Sequence, residues 1–270
     1  MPTLTIDETD IYYERRGAGE PLLLIQGLGG HSLHWGDDFL GALEETFELV
    51  LYDHRGAGRS GELEGECTIA RLAGDAAAVL DALQIESAHV LGISMGGMVA
   101  QELVLTHPER VRTLTLGCSF PGGEEAKMTD QEIVGKIAEA VLSGDPERAV
   151  RVGYEIMIAP EYAADPANYE IYERVAAQYP TPIPTLMGQL SAILAHDTSA
   201  RLAEVEVPTL VVHGTADRLL ESVNGELLAR LIPGARLELL DGAGHMFFWE
   251  QPERSATLVR EHIAAAARTG

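Results

Sequence analysis

A chain of 270 residues with 46% hydrophobic content is long enough to bury one large core, and an open α/β sheet of this size forms a single domain. Its 42 acidic residues outnumber 19 basic ones, for a net charge of −23. That balance argues against nucleic acid or an anionic membrane as a partner and disfavours strongly anionic substrates.

The run from Met1 to Asp7 has no basic segment followed by an apolar one, so no secretory leader is predicted, and no apolar run reaches the roughly 18 residues of a membrane span. A cytoplasmic protein is expected. Residues 4–7 and 11–15 predict an antiparallel hairpin. Residues 21–25 form a continuous apolar run, the pattern of a parallel strand covered on both faces. The loop Gln26-Gly27-Leu28-Gly29-Gly30 follows. Residues 35–45 predict a helix and 49–52 the next strand, which leads into the turn Asp53-His54-Arg55-Gly56-Ala57-Gly58-Arg59-Ser60. Residues 68–83 carry Ile69, Leu72, Ala76, Val79, Leu80 and Leu83 at helical spacing.

The strand at 89–93 runs into Gly92-Ile93-Ser94-Met95-Gly96, a G-x-S-x-G motif, and helix-compatible residues follow. Strand, sharp turn and helix are the setting of a nucleophile elbow. The turn strains the serine backbone, holds its hydroxyl clear of the sheet, and needs small residues at Gly92 and Gly96. The Met95 amide, at a helix N-terminus, suits a developing negative charge. Pro108 marks a helix end, and residues 112–117 give another strand. Cys67, before a helix, and Cys118, at a buried strand end, read as free thiols of a reducing compartment. Neither has the flanking residues of a nucleophile motif.

Residues 120–197 lack a convincing core strand. Thr129-x-x-Glu132 predicts a capping box, and Asp145-Pro146 and Asp165-Pro166 predict further helix starts, giving three or four helices. Their methionines and tyrosines are expected mostly to pack this segment onto the body, and partly to line an apolar pocket. Strands resume at 208–212 and 236–240, with helices at 220–231 and 252–267. His213-Gly214-Thr215-Ala216-Asp217 follows the first of these strands, and Gly242-Ala243-Gly244-His245 the second. A serine, an acid and a histidine in that chain order, each just past a strand, predict a triad of Ser94, Asp217 and His245.

These motifs make the chain resemble the α/β-hydrolase family along almost its whole length, its esterase and lactonase branches in particular. The resemblance implies a mostly parallel eight-stranded sheet flanked by helices. Residues 1–119 and 198–270 would form the core and 120–197 a helical cap. By family position the Leu28 amide joins that of Met95 as oxyanion donor. Gln26 stands where the family commonly has histidine, and can also hydrogen-bond backbone. The implied function is hydrolysis of carboxylic esters or lactones of small to medium, fairly apolar substrates through an acyl-serine, with no metal or organic cofactor. Carbon–carbon bond hydrolysis and cofactor-free perhydrolysis use the same triad, although Ile93 stands where the former often have Asn. A non-catalytic ligand receptor is the alternative from another class.

Pocket candidates are Trp35, Phe120, Met128, Met157 and Met246. Trp35 equally suits packing at a helix start, while His31 and His34 are expected at the surface. Asp53, His54 and Arg55 read as a structural network, and His213 as a buried, hydrogen-bonded histidine. Asp241 is too close in sequence to reach the imidazole. His89, His107, His196 and His262 read as structural or surface residues without metal-ligand spacing. The protein is expected as a monomer or homodimer.

Overall fold

The computed structural model describes residues 2–268, so Met1 and the last two residues of the expected 198–270 segment lie outside it. Eight strands form one sheet: β1 (Thr3–Ile6), β2 (Thr9–Gly17), β3 (Glu20–Ile25), β4 (Phe47–Tyr52), β5 (Ala88–Ile93), β6 (Val111–Gly117), β7 (Thr209–Gly214) and β8 (Arg236–Leu240). Their order is β1-β2-β4-β3-β5-β6-β7-β8. The first two pairings are antiparallel and the rest parallel.

Period-2 alternation along buried strands builds two cores. Leu23, Ile25, Val50, Val90, Leu114 and Val211 pack on one face with α2 (Ile69–Ala82) and α3 (Met95–Thr106). Leu22, Leu24, Leu49, Leu51, Leu91 and Val212 pack on the other with α1 (Asp37–Glu44) and α11 (Pro252–Ala266). All the parallel strands point their carboxyl ends the same way, which gathers the loops after β3, β5, β7 and β8 at one edge.

Five helices occupy the interval between β6 and β7: α4 (Gln131–Leu142), α5 (Pro146–Met157), α6 (Pro160–Ala163), α7 (Pro166–Ala176) and α8 (Ile183–Leu194). The one beyond the expected three or four is the single turn α6. Asp145 and Asp165 cap α5 and α7 as expected. At α4 the cap is Asp130 rather than Thr129, because its carboxylate accepts the Glu132 amide at 2.7 Å.

The helix expected over 35–45 is broken. Ser32–Trp35 form a separate 3-10 turn, and Gly36 at φ 76° redirects the chain before α1. The Trp249 indole, donating to the His34 carbonyl at 2.7 Å, packs against that bend. Helix α9 (Val223–Leu231) begins three residues later than expected, because the Asp217 side chain holds the Leu219 and Leu220 amides in a turn. A further turn, α10 (Phe247–Glu250), was hidden in an apolar run. Among the described residues no helix is long and apolar enough to cross a membrane.

Candidate active site

Ser94 sits between β5 and α3 at φ 52° and ψ −123°, a conformation that costs a non-glycine residue on the order of 1–3 kcal/mol. The surroundings hold it there. Its amide donates to the Gly117 carbonyl at 2.8 Å, and its carbonyl accepts the Ser119 hydroxyl at 2.8 Å and the Gly97 amide at 3.0 Å. A methyl group on Gly96 would collide with the Ile25 carbonyl, and one on Gly92 with the Gly96 carbonyl. Small residues there let helix, elbow and strand touch.

The Gln26–Gly30 loop lies against the elbow: a methyl on Gly27 would stand 3.1 Å from Ser94 Cβ. Gln26 Oε1 accepts the Gly27 amide at 3.0 Å, and His54 Nε2 donates to the Gln26 carbonyl at 3.0 Å. The next residues are gripped from the β6–β7 interval. The Gly29 amide donates to Gln189 Oε1 on α8 at 2.8 Å, and the Thr181 hydroxyl donates to the Gly29 carbonyl at 2.9 Å. The Leu28 amide makes no hydrogen bond among the described residues, and the Met95 amide, in the first turn of α3, has no intrahelical acceptor.

Asp217, after β7, and His245, after β8, are both buried and meet through Oδ2 and Nδ1 at 2.7 Å. Asp217 Oδ1 accepts the Leu219 and Leu220 amides, both at 2.9 Å. Burial opposes the charge on Asp217, yet His245 and a hydrogen bond from His213 hold its carboxyl well below the usual range. Burial likewise opposes charge on His245, but the Asp217 carboxylate, with Cys118 adding to it, raises the imidazole well above the ordinary value. Cys118 follows Gly117, the residue that accepts the Ser94 amide, so His245 and Ser94 flank the same end of β6. Ser94 Oγ and the imidazole are not hydrogen-bonded in this structure; such contacts tighten when substrate is bound.

The His245 loop is itself anchored. The His245 and Met246 amides donate to the Met157 carbonyl at 2.7 and 3.2 Å. Glu250 accepts the Gly244 amide at 3.1 Å and the Ala159 amide at 3.3 Å. Thus the two loops that flank Ser94 are each tied to the β6–β7 helices.

Of the pocket candidates, Met157 meets the His245 loop through its backbone carbonyl, and Met246, next to His245 in the chain, is buried. Phe120 is buried beside His196, its carbonyl accepting from Gln101. Trp35 is a correction: its ring stacks on Phe39 and tilts on Phe248 inside the core, because the 3-10 turn points it inward. Met128 is 45% exposed, its neighbour Lys127 tied to Asn224 on α9. His31 and His34 are also corrected. His31 is fully buried and His34 half-buried, and desolvation holds their imidazoles down at about 4 and about 3. The network around Asp53 is structural: Asp53 accepts the Ser32 amide and hydroxyl, and Arg55 pairs with buried Asp75. Asp241 meets Thr215 rather than the imidazole. Missed in the sequence were Gln189, Thr181, Glu250 and the contact of Cys118 with His245. Among the described residues no cluster of three or more His, Cys, Asp or Glu is placed to hold a metal.

Residues 20–252 match the sequence profile described as "alpha/beta hydrolase fold". A protein of Azorhizobium caulinodans named "Putative carbamate hydrolase RutD" is 36% identical over 94% of this chain and 94% of its own. A solved hydrolase from Pseudomonas aeruginosa PA01 is 31% identical, with a TM-score of 0.85 and 97% of each chain covered. The enol-lactonase from Burkholderia xenovorans LB400 is 25% identical, with a TM-score of 0.85, covering 97% of this chain and all of its own.

Proposed function

The chain belongs to the alpha/beta hydrolase family, and on that premise we propose that it is a serine hydrolase of carboxylic esters or lactones. The observation that carries this reading is the Asp217–His245 bond of 2.7 Å, at the same sheet edge as a serine held in a strained elbow. In this mechanism His245 Nε2 takes the proton from Ser94 Oγ as that oxygen attacks the carbonyl carbon. Asp217, bonded at Nδ1, keeps Nε2 bare beforehand and supports the imidazolium that forms. The Leu28 and Met95 amides receive the oxyanion. Each has no other acceptor to give up, and losing one such donor costs about 10²–10³ in rate. The tetrahedral adduct collapses as the carbon–oxygen bond to the leaving group breaks. The alcohol departs with the proton from His245, leaving an acyl-serine. Water, deprotonated by the same imidazole, then releases the acid and restores the serine.

Helices α4 to α8 act as a cap in this reading. Leu186 lies over Gly29, and this apolar side chain above the oxyanion loop supports a small to medium, fairly apolar substrate. A carbamate is a second reading, favoured by the name of the Azorhizobium caulinodans relative. Its carbonyl is open to the same attack: the carbon–oxygen bond breaks, the alcohol leaves with the proton from His245, and water then hydrolyses the carbamoyl-serine. A panel of p-nitrophenyl esters, lactones, carbamates and peracid formation separates these. Fastest turnover of an ester or lactone is the expected result. A preference for carbamates would move the assignment to the second reading, and a wild type inert on every substrate would refute the hydrolytic role.

A further inference from the structure

His213 ends β7 four residues before Asp217 and is completely buried. Its Nε2 lies 2.8 Å from the Leu220 carbonyl oxygen and 3.2 Å from Asp217 Oδ2. A carbonyl oxygen can only accept, so Nε2 carries the hydrogen and shares it between the two oxygens. Nδ1 is buried with no partner among the described residues. Helix α9 closes on it: a methyl group on Gly225 would stand 2.9 Å from Nδ1. His213 is therefore a donor at Nε2. The oxygen it reaches, Asp217 Oδ2, is the one that accepts His245 Nδ1 at 2.7 Å. Oδ1 is already occupied by the Leu219 and Leu220 amides. Two imidazoles on opposite sides of one carboxylate share a single oxygen.

We propose that His213 is a positioning residue that sets the basicity of His245 through Asp217. Its N–H withdraws charge from Oδ2, so the carboxylate orients His245 without over-stabilising the imidazolium. The inference rests on the assignment of Ser94, His245 and Asp217 as the reacting set. The other titratable groups facing this set are Cys118, against the His245 ring, and Glu250, on the Gly244 amide. Among the described residues neither hydrogen-bonds Oδ2, and α9 faces His213 with the uncharged Gly225.

The test compares wild type, His213→Phe and His213→Gln in the pH dependence of kcat/KM on p-nitrophenyl butyrate. Phenylalanine keeps a ring but removes the donor, and glutamine restores an N–H near the position of Nε2. With Oδ2 released, the acid limb of His213→Phe moves up by about one pH unit, the size of one weakened charge-assisted hydrogen bond. Below the limb that shift makes its kcat/KM tenfold lower than that of the wild type, and His213→Gln brings the limb back. A limb that stays in place or moves down in His213→Phe overturns the proposal. A merely structural His213 would lower rate or Tm by the same factor at every pH. Should His213→Phe fail to fold, the ring ¹⁵N shifts of the wild type at pH 8 decide: an Nε2–H tautomer for His213 is expected, and an Nδ1–H tautomer refutes the proposal. An enzyme inert on all esters would instead overturn the serine-hydrolase reading, and the ¹⁵N result is independent of turnover.

Discussion

Replacing Asp217 by asparagine separates geometry from charge with almost no change of shape. Two backbone amides, of Leu219 and Leu220, point at Oδ1 from 2.9 Å. An asparagine that turned its NH₂ toward them would leave buried donors facing donors, at a cost of about 1–3 kcal/mol each. Its carbonyl therefore takes the Oδ1 position, facing two amides, and its NH₂ replaces Oδ2 opposite His245 Nδ1, where the one opposing donor, the His213 N–H, keeps the Leu220 carbonyl as acceptor. An amide NH₂ can only donate. His245 must then present a bare Nδ1 and carry its proton on Nε2, the nitrogen that has to receive the Ser94 proton. The base keeps its place but holds the wrong tautomer. The same substitution in a serine protease triad lowers kcat by about 10⁴, or about 5 kcal/mol of barrier. We expect a loss of that order for Asp217→Asn on p-nitrophenyl butyrate near pH 8, with Tm measured alongside to show that the variant is folded. A folded Asp217→Asn retaining more than a tenth of the wild-type kcat would refute the reasoning.

Three further outcomes follow. Protonated His245 cannot accept the serine proton, and the Asp217 carboxylate raises its affinity for protons, so kcat/KM falls as pH drops through a value above the ordinary histidine figure of about 6.5; an acid limb below pH 6 contradicts this. Arg55→Met leaves the Asp75 carboxylate buried and unpaired, which costs about 3–5 kcal/mol and lowers Tm by about 10 °C, whereas the double change with Asp75→Leu recovers most of it; an unchanged Tm in Arg55→Met would show that the pair is dispensable. Gln189→Leu removes the acceptor of the Gly29 amide beside the oxyanion loop and lowers kcat/KM by about ten- to a hundredfold, the kinetic equivalent of one unsatisfied buried N–H; wild-type kinetics would show that the loop holds its shape unaided.

The strands were legible because parallel strands buried on both faces leave unbroken apolar runs, such as Leu22 to Ile25. The positions of Ser94, Asp217 and His245 were legible for a related reason: Ser94 and Asp217 follow such runs, His245 follows the partly exposed edge strand β8, and all three are flagged by nearby glycines. Helix α8 shows what was not legible. Its Ile183, Met187 and Leu194 are exposed, while the polar Thr185 and Gln189 are buried against the loops below. Reading hydrophobic periodicity there selects the wrong face. Gln189 and Thr181 reach Gly29 from 160 and 152 residues away, a distance no local pattern encodes. Trp35 was ambiguous between pocket and core because its direction depends on the bend at Gly36, which Trp249, far along the chain, packs against.

The central claim is that Ser94 is the nucleophile. It is tested most directly by intact-protein mass spectrometry after treatment with a fluorophosphonate, followed by peptide mapping. One adduct is expected on the wild type, carried by Ser94, and none on a folded Ser94→Ala. An unlabelled wild type, or an adduct that persists in Ser94→Ala, would contradict it.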